Sequence, residues 1–124
     1  MTAATQADPP TFSVRPRPGP GVPVLEAVGE LDQDSGGVLD AVVAEVMAAA
    51  RAAGELVLDL TGVRFCDSGG LNAVIRAHLR VQGAGAVLHV VHPTARVTAL
   101  FQRTGVDQVL RVHPNAAALV EPAP

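Results

Sequence analysis

The sequence predicts an α/β fold. It should be a single domain on a mixed, mostly parallel β-sheet, with an antiparallel N-terminal strand pair and about four helices. Two observations carry that expectation. Short Val- and Leu-rich runs alternate with longer stretches in which apolar residues recur at helical spacing, and strands alternating with helices of this length pair in parallel with right-handed crossovers. The N-terminal part instead holds two strand-like runs joined by a proline-rich segment, which is turn material.

In order, residues 1–10 are small, polar and end in Pro-Pro, so they read as a frayed tail. Residues 11–15 alternate like an edge strand, 16–23 form the proline turn, and 24–28 form the second strand, running on to Asp32. Ser35 opens a helix with Val38, Leu39, Val42, Val43, Val46, Met47 and Ala50 on one stripe, stopped by Gly54. Residues 55–60 are nearly continuous in apolar character, as a central parallel strand should be, and 61–67 read as a loop. A second helix starts at Ser68, carries Leu71, Val74, Ile75 and Leu79, and ends near Gly83–Gly85. Residues 86–91 form a fourth strand broken by His92-Pro93. Thr94 caps a third helix with Val97, Leu100 and Phe101, closed by Gly105. A last strand over 109–112 and a short helix over 114–120 complete a domain spanning residues 11–120, with 121–124 as a tail.

Composition narrows the function classes. A chain of 124 residues, nearly half of them apolar, can bury a core unaided. Its nine basic residues are all Arg and scattered, and Trp and Tyr are absent, so stacking platforms and phosphate-tracking stripes for nucleic acid are missing. Cys66 has no partner for an internal disulfide, the N-terminus has no signal-peptide pattern, and no apolar run approaches a membrane span. These features place the chain in the cytoplasm, with no direct nucleic-acid or membrane partner.

The stretch 65–71 (Phe-Cys-Asp-Ser-Gly-Gly-Leu) joins the central strand to the second helix. A serine there can cap the helix with its side-chain oxygen. It is also a hydroxyl at a strand-to-helix turn, where helix amides can receive an anion attached to it. Two successive glycines cost helix propensity, roughly 1 kcal/mol each relative to Ala, so the turn needs close approach by something. The string Asp-Ser-Gly-Gly occurs twice, at 34–37 and 67–70, each just before a helix. At Ser35 it reads as helix-start chemistry.

Other chemistries fit poorly. Asp67-Ser68-Gly69-Gly70 is similar to the nucleophile motif of trypsin-like proteases, but the length excludes two β-barrels and every histidine follows the serine. An α/β-hydrolase elbow needs Gly where Cys66 stands. His89 and His92 lack a nearby Cys or carboxylate, so no metal is expected, and no phosphate-binding glycine loop or other cofactor signature occurs. Cys66 before a helix could carry an activated thiolate, but a small apolar filler is the commoner role. A Ser68 or Cys66 hydrolase would be labelled stoichiometrically by a serine- or thiol-reactive probe, and no such labelling is expected.

Several stretches together resemble the STAS domain of anti-sigma factor antagonists, regulators that work by partner switching in bacteria. Val28-Gly29-Glu30-Leu31-Asp32 resembles the family's Gly-Glu-Leu-Asp turn, which precedes a Ser or Thr at a helix start. Residues 56–60, then Val63, Phe65, Asp67, Ser68, Gly70 and Leu71, resemble its central strand and phosphorylation loop. His92-Pro93, Leu100-Phe101 and Thr104-Gly105-Val106 resemble its third helix and the following turn. The resemblance covers residues 11–120 in the right order. It implies a STAS-like domain that is not an enzyme and needs no cofactor, with Ser68 as the phosphorylated residue. Asp32, Ser35, Asp67, Gly69 and Asn72 would lie at partner-facing loops. The family often has a second Ser or Thr where this chain has Gly69. The implied partners are an anti-sigma factor with Ser/Thr kinase activity of the histidine-kinase ATPase type, and a metal-dependent Ser/Thr phosphatase. The unphosphorylated chain would bind the kinase and release a sigma factor, and phosphate on Ser68 would end the complex. The alternative is a STAS scaffolding or regulatory subunit not controlled by phosphorylation, whose binding would be the same with Ser68 changed to Ala or Asp.

Overall fold

In the computed structural model, residues 11–17, 21–49 and 54–115 are described. The elements run β1 (Phe12–Arg17), β2 (Val24–Leu31), α1 (Gly36–Ala49), β3 (Glu55–Cys66), α2 (Ser68–Gly83), β4 (Val87–Val91), α3 (Ala95–Thr104), a 3₁₀ turn (Val106–Gln108) and β5 (Arg111–His113). The five strands form one sheet in chain order, with β1 antiparallel to β2 and the rest parallel. This is the expected α/β architecture, with three α-helices among the described residues where about four were expected in the whole chain. The closing helix expected over 114–120, the frayed tails at 1–10 and 121–124, and the junction from α1 to Gly54 fall wholly or largely outside the described residues. No helix among the described residues is long and apolar enough to cross a membrane.

Strand alternation divides the sheet. Phe12, Val14, Leu25, Ala27, Leu31, Leu56, Leu58, Leu60, Leu88 and Val90 join Leu39 and Val43 of α1, Leu71, Val74, Ala77 and Val81 of α2, and Val97 and Phe101 of α3 in one core. The cross-strand row Arg15, Glu26, Asp59, Val91 and His113 lies on the opposite face, next to the row Arg17, Val24, Val57, His89 and Arg111.

Three expectations about element bounds, and one about which residues face the core, are corrected. β1 runs through Pro16 to Arg17 because an edge strand tolerates a missing donor on its outer side. β3 does not stop at Leu60: β2 stays beside it to Cys66, with register shifts between Glu26 and Val28 and between Gly29 and Glu30. The residues expected as a loop are therefore mostly strand. β5 begins at Arg111 because Val106–Gln108 first makes a 3₁₀ turn, which leaves Val109 58% exposed. Val38 and Leu79 also point outward, and the buried stripe of α2 is Gly70, Leu71, Ala73, Val74, Ala77 and Val81.

The polar face has its own network. Asp59 is buried, and its carboxylate accepts from the Thr61 hydroxyl (2.6 Å), the Thr61 amide (2.9 Å) and Arg17 Nη2 (2.6 Å). Burial opposes the charge, but Thr61 and Arg17 outweigh it and hold this carboxyl below its usual range. A pKa depressed on folding stabilises the native state above the ordinary carboxylate range, and that contribution is lost as pH falls through the folded value. Native stability should therefore decline on acidification below about pH 4, and Asp59→Asn should flatten that part of the profile. Urea melts at a series of pH values test this; parallel profiles for the two proteins would rule it out.

His89 and His113 also lie on this face. His89 Nε2 lies 3.2 Å from Glu55 Oε1, and its Nδ1 lies 3.1 Å from His113 Nε2. Burial, then His89 and Arg111, lower the His113 pKa. Among the described residues no group of three His, Cys, Asp or Glu could hold a metal ion.

Candidate functional site

The site is the turn between β3 and α2. Asp67, not Ser68, is the N-cap: its backbone is extended (φ −104°, ψ −170°), and its Oδ1 accepts the Gly70 amide at 2.9 Å. Its carbonyl accepts the Leu71 amide at 2.8 Å. Asp and Ser are nearly equal as caps, so their order in the sequence could not decide between them. Because Asp67 does the capping, Ser68 becomes the first helical residue. Its side chain is exposed and makes no hydrogen bond to the described residues. The Ser68 and Gly69 amides are likewise unpaired among the described residues, as first-turn helix donors are. A group carried on the Ser68 oxygen would meet free N–H groups and the positive end of the α2 dipole.

The two glycines have a cause that the sequence did not reveal: the chain itself approaches them. A Cβ on Gly69 would stand 2.7 Å from the N, Cα and Cβ atoms of Gln33, and one on Gly70 would stand 2.6 Å from the Leu31 carbonyl carbon. The Asp67 amide also donates to the Leu31 carbonyl at 3.3 Å. The turn after β2 therefore lies directly against the turn after β3, with Gln33 at the seam. No motif marks Gln33, because the contact joins residues far apart in the chain. A serine at position 69 would need the space that Gln33 backbone occupies.

Within the β2–α1 turn, Asp32 and Ser35 bind each other reciprocally, in the manner of a capping box. Asp32 Oδ1 accepts the Ser35 amide at 2.9 Å, and Ser35 Oγ accepts the Asp32 amide at 2.9 Å. The single hydroxyl proton goes to the Glu30 carbonyl (2.9 Å) or to Asp32 Oδ1 (3.0 Å). The Ser35 amide, then its hydroxyl, lower the Asp32 pKa. Ser35 is 8% exposed, so the two copies of Asp-Ser-Gly-Gly differ: one hydroxyl is sealed inside, the other faces solvent. Of the other residues singled out in the sequence, Asn72 is exposed on the second turn of α2, while Asp32, Asp67 and Gly69 are half-buried.

Cys66 is half-buried, with Sγ 3.6 Å from the Asp67 carbonyl oxygen. Burial, with Asp67 adding to it, pushes its thiol up to about 11, the opposite of an activated thiolate. On the neighbouring loop Thr94 caps α3 as expected. It accepts the Val97 amide at 3.3 Å and donates to the Val63 carbonyl at 3.4 Å, while Gly105 ends the helix with φ 77°.

The family model described as "Mlab, STAS domain" matches residues 15–114. Among solved structures, an anti-sigma factor antagonist from Mycobacterium paratuberculosis matches with a TM-score of 0.74 at 22% identity, over 86% of this chain and 89% of that one. The anti-sigma factor antagonist SpoIIAA in its unphosphorylated form gives 0.63 at 17% identity, over 86% and 93%. Bacillus SpoIIAA in its phosphorylated form gives 0.62 at 16% identity, over 86% and 96%. At these identities the likeness to the solved structures is one of fold.

Proposed function

This chain belongs to the STAS domain family, and from that premise we propose that it is an anti-sigma factor antagonist, a protein-binding switch controlled by phosphorylation of Ser68. The observation that carries the reading is the exposed, unpaired Ser68 hydroxyl on the first turn of α2. The unphosphorylated chain docks on an anti-sigma factor with Ser/Thr kinase activity and frees a sigma factor. The kinase, using its own ATP, phosphorylates Ser68, and a metal-dependent phosphatase resets the chain. The docking surface comprises Asp67, Ser68, Gly69 and Asn72, with Asp32 from the adjacent turn; Ser35, which the resemblance also put at a partner-facing loop, is left out because its side chain is buried. The chain itself carries out no catalytic step and works in the cytoplasm.

The same geometry separates Ser68 from the chain's other candidate hydroxyls. Ser35 is buried and bonded, and the Thr61 hydroxyl is held by Asp59. Incubation with candidate Ser/Thr kinases and ATP, followed by phosphopeptide mapping, should place the label on Ser68, and Ser68→Ala should lose it with its fold intact. Label on Ser35 or Thr61 would overturn the assignment.

A further inference from the structure

Ser35 and Asp59 are the buried polar side chains among the described residues, and the switch as proposed gives Ser35 no part. The geometry points to Ser35 as a positioning residue for the Ser68 site: its hydroxyl clasps the β2–α1 turn in the one arrangement that seats Gln33 against Gly69. The surface a partner reads is then a composite of two loops, held in register by a group the partner never touches. The kinase arm of the test below rests on the phosphorylation reading; the exchange arm does not.

Very little lies between the two loops. Leu31 and Gln33 approach Gly69 and Gly70 at backbone distance, and the Asp67 amide is bonded to the Leu31 carbonyl. Side chains can absorb a displacement by changing rotamer, whereas backbone packed on backbone passes it on. The path of residues 31–35 is set by the clasp: Ser35 Oγ accepts from the Asp32 amide and donates to the Glu30 carbonyl or the Asp32 carboxylate, and Asp32 holds the Ser35 amide in return. Removing the hydroxyl leaves the Asp32 amide and the Glu30 carbonyl without it, and the turn relaxes. The bland alternative is that Ser35 serves only the first turn of α1, in which case nothing at residues 67–70 should respond.

Amide hydrogen exchange by NMR separates the two. In Ser35→Ala, exchange at the Asp67 amide should rise about tenfold, the size expected when one hydrogen bond is lost from a local opening, and the Ser68, Gly69 and Gly70 resonances should shift. Ser35→Thr, which keeps a hydroxyl, should restore wild-type values. Should Ser35→Ala fail to fold, Asp32→Asn weakens the clasp from its other end and should give the same pattern at smaller size. With the kinase that labels Ser68, Ser35→Ala should raise KM about tenfold and leave kcat within about twofold, with Ser35→Thr again restoring it. Changes confined to residues 32–38, or an unchanged KM, would overturn the positioning role. A wild-type chain that no kinase labels on Ser68 would instead overturn the phosphorylation reading, and the exchange data would still decide the clasp.

Discussion

Gly70→Ala should lower the melting temperature by on the order of 10 °C, or leave the chain unfolded, although alanine is the better helix former. The added methyl would lie far inside van der Waals contact with the Leu31 carbonyl carbon and oxygen, and both atoms are backbone at the end of a core strand. Neither can move alone: Leu31 is buried, and Asp67 anchors the turn through the Gly70 and Leu71 amides. Overpacking of this kind typically costs 1–3 kcal/mol and sometimes more, against a helix-propensity gain of about 1 kcal/mol; the backbone location puts this case at about 3 kcal/mol net. Gly37→Ala supplies the control. It replaces the last glycine of the other Asp-Ser-Gly-Gly string, where a Cβ meets nothing within 4 Å, so it should stabilise by about 0.5–1 kcal/mol. Denaturation followed by circular dichroism reads both. Equal shifts for the two variants would show that the loops do not touch as described.

The second large effect is on binding. Phosphoserine at position 68 adds a charge of about −1.5 to −2, and the host fold should scarcely notice. The α2 N-terminus favours the anion by ~0.3–1 kcal/mol, and the unpaired Ser68 and Gly69 amides are available to it. Asp67 is committed to the Gly70 amide. At a close interface the same charge placed against like charge costs several kcal/mol. A loss of ~3 kcal/mol weakens binding about a hundredfold. Calorimetry with a chain carrying phosphoserine at position 68 should therefore show at least that loss against the anti-sigma factor, at a nearly unchanged melting temperature. Ser68→Ala should bind like the unmodified chain. Binding indifferent to all three forms would favour a scaffolding subunit.

Local signals proved sufficient where the physics is local. Thr94 and Gly105 bracket α3 as their chemistry demands, and the alternation of strands and helices gave the parallel sheet with its antiparallel edge. What was not legible depends on distant partners. β3 reads as a short strand because Gly62 and Arg64 look like loop residues; it is long because β2 lies alongside to its end. Gly69 and Gly70 suggested an opening for a visitor, whereas the visitor is Gln33 and Leu31 of the same chain. Motif and resemblance single out Ser68 as the proposed site residue, but its freedom from capping follows from Asp67 taking that role, one position away.

The opposite burial of two identical tetrapeptides has a further consequence for any enzyme that reads only a short stretch. Cut into peptides or denatured, this chain would present two equivalent acceptors, at positions 35 and 68; folded, it withholds one of them. Discrimination between them is then a property of tertiary structure, and peptide arrays would report a substrate preference that the native molecule does not have.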